Sequence, residues 1–160
     1  MGYGDRESVR RVRGALGERG LSPEFVELEE TARSAGEAAA ALGVRVGQIV
    51  KSLVFRGAET DRFVLVLAGG PNRVDEAKIS ALLGEPVVKA DAAFVRERAG
   101  YAIGGVPPLG HAEAPVAFLD EGLMEHEEVW AAAGHTHVVF GLAPGDLLRA
   151  TGARVIRVSG

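Results

Sequence analysis

The amino-acid sequence predicts a single α+β domain in which helices pack around a mixed β-sheet. Three observations support this fold class. Apolar strand-like runs and helical segments intermix along the chain, they lack the strict strand–helix–strand rhythm of a doubly wound sheet, and no repeat or linker interrupts the 160 residues. With 47% hydrophobic and 25% charged residues, the chain has the balance of a soluble globular protein long enough to build a core. We therefore expect one domain over residues 1–160.

The first half of the chain predicts three helices and three strands. Apolar residues at helical spacing, Val9, Val12 and Leu16, place an N-terminal helix at about 5–20. An alanine-rich second helix is expected at 34–42, and Asp75 is the predicted N-cap of a third. Strands are expected at 25–29, 49–55 and 62–68, the last two joined by a hairpin turn at 57–61.

The second half predicts shorter elements around one long loop. We expect strands at 87–88, 116–119, 137–140 and 153–158, helices at 91–99 and 144–149, and a glycine- and proline-rich loop at 101–115. Residues 121–133 are predicted to be partly helical, with Gly134 ending the segment.

Charge and composition limit the partners that the protein can have. The net charge of −4 argues against extensive contact with a nucleic-acid duplex, and hence against DNA, although a short single-stranded end remains compatible. The chain has no cysteine and therefore neither disulfides nor thiolate chemistry. It shows no apolar run long enough to span a bilayer and no secretory signal, so we expect a cytoplasmic protein without a membrane partner.

Lys51 is the most unusual residue in the predicted strands. It stands in the run IVKSLVF, where side-chain alternation places it on one face with Ile49, Leu53 and Phe55. An ammonium group among large apolar neighbours loses hydration unless an anion or several acceptors replace the water. Two interpretations are open: a functional cation, or a lysine at a sheet edge whose stem lies on apolar surface while its head reaches solvent.

The loop GYAIGGVPPLGH, residues 100–111, is the second unusual feature. Glycine permits close approach to backbone amides and proline fixes φ, so such a loop can form a rigid anion- or oxyanion-binding site. It lacks the Lys-Ser/Thr pair of a P-loop and the pattern of a dinucleotide-binding turn. A purely structural turn is the alternative.

Together, IVKSLVF, GYAIGGVPPLG and the later AAAGHTHVVF resemble the YbaK/ProX aminoacyl-tRNA deacylases, whose domain also occurs as the editing insertion of bacterial prolyl-tRNA synthetases. The resemblance extends over about 25–158 and includes the order of elements. It implies an α+β fold around a mixed, curved β-sheet.

The resemblance also implies which residues form the site. Lys51 matches the key lysine of the family, and Gly104 and Pro108 match its Gly-x-x-x-Pro loop, so Lys51, Gly104, Gly105 and Pro108 are the expected catalytic residues. Substrate contacts are expected from Tyr101, Val106 and Pro107 of the loop and from Gly134 and His135 of the later segment. Thr31, where the chain enters the alanine-rich helix, is expected to line the same pocket, and Asp120 to be a polar group at its rim.

The implied activity is hydrolysis of the ester that joins a wrong amino acid to the 3′-terminal adenosine of a tRNA. Its partners would be the acceptor end of a mischarged tRNA and an aminoacyl-tRNA synthetase such as the prolyl enzyme. No cofactor is expected. Of the four histidines, His135 and His137 are two residues apart and the others are scattered, and without a His-Glu-x-x-His motif no metal site is expected. The alternative function is a non-catalytic module that binds aminoacyl-tRNA or a synthetase. The sequence does not identify the amino acid removed.

Overall fold

The structure, a computed structural model, describes residues 2–29 and 34–160. In these ranges none of the helices is long and apolar enough to cross a membrane. They contain the helices α1 (Glu7–Glu18), α2 (Ala35–Leu42), α3 (Glu76–Leu83), α4 (Ala92–Arg98) and α5 (Pro144–Thr151). The strands are β1 (Phe25–Glu27), β2 (Val50–Gly57), β3 (Phe63–Gly69), β4 (Val87–Lys89), β5 (Val116–Asp120), β6 (Val129–His135), β7 (Val138–Leu142) and β8 (Arg154–Ile156).

The described strands form two sheets whose side chains share one hydrophobic cluster. The larger sheet has the order β4-β2-β3-β5-β8; the β2–β3 and β2–β4 pairs are antiparallel, whereas the β3–β5 and β5–β8 pairs are parallel. The smaller sheet, β1-β7-β6, is antiparallel. A single bridge between Ile49 and Trp130 connects the start of β2 to β6. The predicted α+β fold with mixed strand directions is confirmed.

Strand β3 is the centre of the core because both of its faces are buried. Phe63, Leu65 and Leu67 belong to a cluster that also includes residues of α1, and the intervening side chains of β3 contact a second cluster that contains Ile79 of α3. Each of these β3 residues is at most 2% exposed. The continuous apolar run of β3 is what a strand covered on both faces requires.

Alternation along β2 places Lys51 beside the second cluster, as predicted. Leu53 and Phe55 pack into that cluster, and Lys51 pairs in register with Ala68, another of its members. Ile49 departs from the prediction, because it precedes the strand and packs instead against Ala38 and Ala39 of α2.

The prediction of a partly helical segment at 121–133 is wrong in its second half. A short 3₁₀ turn spans Glu121–Glu125, but the following residues form β6, which pairs with β7. Val129, Ala131 and Ala133 alternate into the core, and a bulge interrupts the ladder between Ala132 and His135. Alanine favours helices locally, but the burial of alternate residues against β7 outweighs that preference.

Candidate functional site

A cleft of about 770 Å³ opens where the two sheets separate beyond the Ile49–Trp130 bridge. Strand β2 pairs with β3 along residues 50–56, but it pairs with β4 only from Phe55 onward, so its first half presents an open edge to the cleft. The wall is apolar with a few polar groups: Ile49, Leu53, Val54, Val106 and Ala131 line it together with Lys51, Asn72, Arg73, Lys89 and His135.

Lys51 lies in this cleft with its ammonium group held at one point. The Nζ atom donates a hydrogen bond to the backbone carbonyl of Asn72 at 2.7 Å, which leaves two N–H groups for a ligand. Burial lowers the pKa of the Lys51 ammonium; the Asp120 carboxylate opposes this shift, and the Arg73 guanidinium adds to it. The half-buried, anchored position favours a functional cation over a lysine that simply reaches solvent.

Asp120 supports the residue that holds Lys51. It is 2% exposed, and its carboxylate accepts hydrogen bonds from the Asn72 side-chain amide at 2.7 Å and from the Gly69 and Gly122 backbone amides at 2.9 and 3.0 Å. The prediction that Asp120 lies at the rim of the pocket is wrong in its position, because three donors hold the carboxylate beneath the wall. Asp120 fixes Asn72, and the carbonyl of Asn72 fixes Lys51.

The glycine–proline loop forms part of the cleft wall. Gly104 has φ of +91° and lines the cleft together with Val106. The amide of Gly105 donates to the Ala102 carbonyl at 3.1 Å, whereas the amides of Gly104 and Val106 have no hydrogen-bond partner among the described residues. Val106 is only 4% exposed. Buried amides are nearly always paired, which makes the Val106 N–H a candidate donor to a bound ligand. Gly104 is exposed, so its N–H is open to water or to a ligand.

The other face of the loop packs away from the cleft. Tyr101 is 1% exposed, and its hydroxyl donates to the Gly110 carbonyl at 2.7 Å, while the Arg11 guanidinium lies 4.5 Å from the ring centroid. His111 contacts the Pro107 carbonyl at 2.7 Å through Nε2, and Pro108 lines a separate cavity beside α1. Tyr101, Pro107 and Pro108, all expected near the substrate, therefore shape the loop from behind.

Strand β6 ends directly against this loop. A Cβ on Gly105 would lie 3.1 Å from the backbone N and Cα of His135, so backbone meets backbone here. His135 lines the cleft, and its ring stacks on Tyr3 at 4.5 Å between centroids. Burial lowers the pKa of His135, and the charges of His137 and Arg6 lower it further. His137, expected at the start of a strand, lies in the turn after β6.

Replacing Gly134 by alanine is expected to destabilise the protein by about 2 kcal/mol, because this glycine has φ of +92° and an added Cβ would lie 2.7 Å from the Ser8 carbonyl oxygen. Gly17→Ala is the matched control: nothing lies within 4 Å of its Cβ, and the change within α1 should stabilise by about 0.5–1 kcal/mol. Urea unfolding of both variants measures the difference, and equal stabilities would contradict this role for Gly134.

Sequence reasoning missed several groups in the cleft. Asn72, Arg73 and Lys89 were not predicted as site residues, since long-range contacts give no local sequence pattern. The Ser52 hydroxyl and the Trp130 indole N–H, on two residues that line the cleft, are buried without a hydrogen-bond partner in the described structure.

Thr31 lies outside the described residues. Within the described ranges, no three His, Asp or Glu side chains come together as a metal site.

The profile of the aminoacyl-tRNA editing domain family matches residues 29–150. The chain belongs to this family. Among its relatives, the uncharacterized protein YwhH of Bacillus subtilis (strain 168) is 31% identical over 140 residues, 88% of each chain. A candidate trans-editing enzyme for prolyl tRNA synthetase, known from its crystal structure, shares 47% sequence identity with this editing domain. The two structures superpose with a TM-score of 0.90, and the match covers 97% of this chain and 98% of the other.

A third similar protein is the hypothetical protein APE2540, whose crystal structure is 32% identical, with a TM-score of 0.86 over 94% of this editing domain and 99% of that chain. These comparisons confirm the resemblance to YbaK/ProX proteins and the α+β fold inferred from the sequence. They connect the chain to aminoacyl-tRNA editing, whereas the roles assigned to individual residues of the editing domain remain predictions.

Proposed function

We propose that this editing domain deacylates mischarged tRNA by hydrolysing the ester between the amino acid and the 3′-terminal adenosine. The observation that carries the proposal is the convergence, in one cleft, of the anchored Lys51 ammonium and the unpaired amides of Gly104 and Val106. A cation and backbone donors in one cleft suit a substrate that joins an anionic strand to an ester carbonyl.

The chemistry needs positioning more than a strong nucleophile, because an aminoacyl ester is already activated. A water molecule attacks the ester carbonyl carbon while the amides of Gly104 and Val106 stabilise the developing oxyanion. The carbon–oxygen bond to the ribose then breaks, and the ribose oxygen leaves with a proton. With water as the attacking group, the products are the free amino acid and the tRNA with its 3′ end restored. Attack by the neighbouring ribose hydroxyl would only move the acyl group to that oxygen, and water would still have to cleave the new ester.

We further propose that the partner is the acceptor end of a tRNA in the cytoplasm. The editing domain would act in trans, on tRNA that a separate synthetase has mischarged. A synthetase such as the prolyl enzyme fits the similarity to the candidate trans-editing enzyme. The overall charge of −4 is compatible with this partner when only the aminoacyl end enters the cleft.

Incubation with a panel of mischarged tRNAs tests the proposal. The panel carries small amino acids (alanine, serine, cysteine and threonine) on several tRNAs, and loss of the ester is followed over time with correctly charged tRNAs as controls. We expect hydrolysis of at least one mischarged member well above its spontaneous rate. Binding of these tRNAs without ester loss on any of them would instead support the non-catalytic module.

A further inference from the structure

The charge of the cleft is opposite in sign to that of the whole chain. Among the described lining residues, Lys51, Arg73 and Lys89 carry positive charge, and Glu76 is the single carboxylate. The protein as a whole carries a net charge of −4. A positive groove in an acidic protein marks the place where a polyanion can approach.

Arg73 and Lys89 are not committed to internal contacts. Both residues are exposed, and neither side chain makes a hydrogen bond or an ion pair within the described structure. Several other arginines are held by the protein itself; Arg98, for example, contacts Asp61 and Glu113. Two long cations left without partners at the wall of a cleft are available to a ligand.

The positions of Arg73 and Lys89 fit a bound polyanion that extends along the cleft wall from Lys51. Lys89 pairs in register with Phe55, so it projects from the same face of the larger sheet as Lys51. Phe55 is four positions after Lys51 along β2, which corresponds to about 13 Å at the rise per residue of a strand. Arg73 follows Asn72, whose carbonyl holds Lys51. Arg73 therefore lies near Lys51, where its charge helps to lower the lysine pKa, whereas Lys89 lies farther along the strand.

We propose that Arg73 and Lys89 bind backbone phosphates of the single-stranded 3′ end, upstream of the ester that Lys51 serves. The identity of the strand rests on the proposed function, since an aminoacyl ester in the cleft is attached to RNA that has to leave along the wall. Cations spaced along a groove, which contact phosphates without reading bases, are a common way to hold single strands. The two residues bind substrate and take no part in bond breaking.

A binding experiment tests this proposal without requiring any turnover. The probe is a fluorescently labelled, uncharged RNA oligonucleotide ending in CCA, titrated at several salt concentrations with the wild type and with the double variant Arg73→Ala, Lys89→Ala. We expect binding about 10-fold weaker at low salt. The slope of log K against log salt should decrease in magnitude by about 1.4, or about 0.7 for each phosphate that the variant no longer neutralises.

The matched control is the double variant Arg154→Ala, Arg157→Ala, which removes the same charge from exposed residues outside the cleft lining. Strand β8, which carries Arg154, is separated from β2 by β3 and β5. Equal loss of affinity and of salt dependence in the two double variants would overturn the proposal, because net charge alone would then explain the effect.

Kinetics separate this proposal from the proposed function. We expect the KM of the Arg73, Lys89 variant to rise about 10-fold for mischarged tRNA but much less for aminoacyl-adenosine, which lacks the upstream phosphates. A similar rise for both substrates would place the residues at the ester and contradict phosphate binding. If the wild type hydrolyses no substrate, the deacylase function fails, and the oligonucleotide titration alone still decides the role of the two cations.

Discussion

Replacing Lys51 by alanine is expected to lower kcat/KM for deacylation at least about 100-fold while the fold stays intact. Loss of one charge-stabilising donor in an active site commonly costs a factor of about 10²–10³. The fold should tolerate the change, because the hydrogen bond removed within the described structure is the one to the Asn72 carbonyl, which lies at a cleft open to water. Single-turnover deacylation and urea unfolding measure the two effects separately.

Lys78→Ala is the matched control for this prediction. Lys78 also donates to a backbone carbonyl, that of Ser159 at 3.0 Å, but it lies on α3 outside the cleft lining. Its removal should change stability slightly and deacylation not at all. Lys51→Arg keeps the charge in a larger, planar group and should restore only part of the activity. Full activity in Lys51→Ala would remove the lysine from the mechanism.

Asp120→Ala is expected to destabilise the protein by about 3 kcal/mol and to lower the activity of the remaining folded protein. The carboxylate satisfies three donors, and buried donors left without a partner cost about 1–3 kcal/mol each, part of which water can recover. Activity should fall because Asn72, once released from Asp120, no longer fixes the carbonyl that orients Lys51. Urea unfolding and kcat/KM at matched folded fractions measure both effects.

Glu113→Ala provides the comparison for a surface carboxylate. Glu113 pairs with Arg98 at 3.3 Å and its side chain is 48% exposed, so its loss should change stability by less than about 0.5 kcal/mol. A similarly small change in Asp120→Ala would show that the hydrogen-bond network does not hold this wall. Asp120→Asn keeps one acceptor oxygen, so its free energy of unfolding should lie between those of Asp120→Ala and Glu113→Ala.

Much of the fold was predictable because its signals are local. Asp75 accepts hydrogen bonds from the first turn of α3, as its position before the helical pattern indicated, and the β2–β3 hairpin follows from two apolar runs around a polar turn. The segment after residue 125 was not predictable in this way. Its alanines have a local preference for helix, and only pairing with β7 makes them a strand.

The site was predictable to the extent that a residue's chemistry conflicts with its surroundings. Lys51 was recognisable because an ammonium group is costly in an apolar strand. The support of Lys51 was not recognisable, since Asn72 and Asp120 are 48 positions apart in sequence and each is ordinary in its local context. Tyr101 illustrates the opposite case: the family resemblance of its loop implied a substrate contact, yet its hydroxyl donates to the Gly110 carbonyl and holds the loop together.

The backbone contact between Gly105 and His135 has a consequence for substrate selection. A Cβ added at Gly105 would lie only 3.1 Å from the backbone N and Cα of His135, so the loop and the end of β6 pack backbone against backbone. Loop and strand therefore form one stiff wall. We expect the cleft to exclude larger amino acids by steric overlap, because the packed backbones resist the movement of the loop that would widen it.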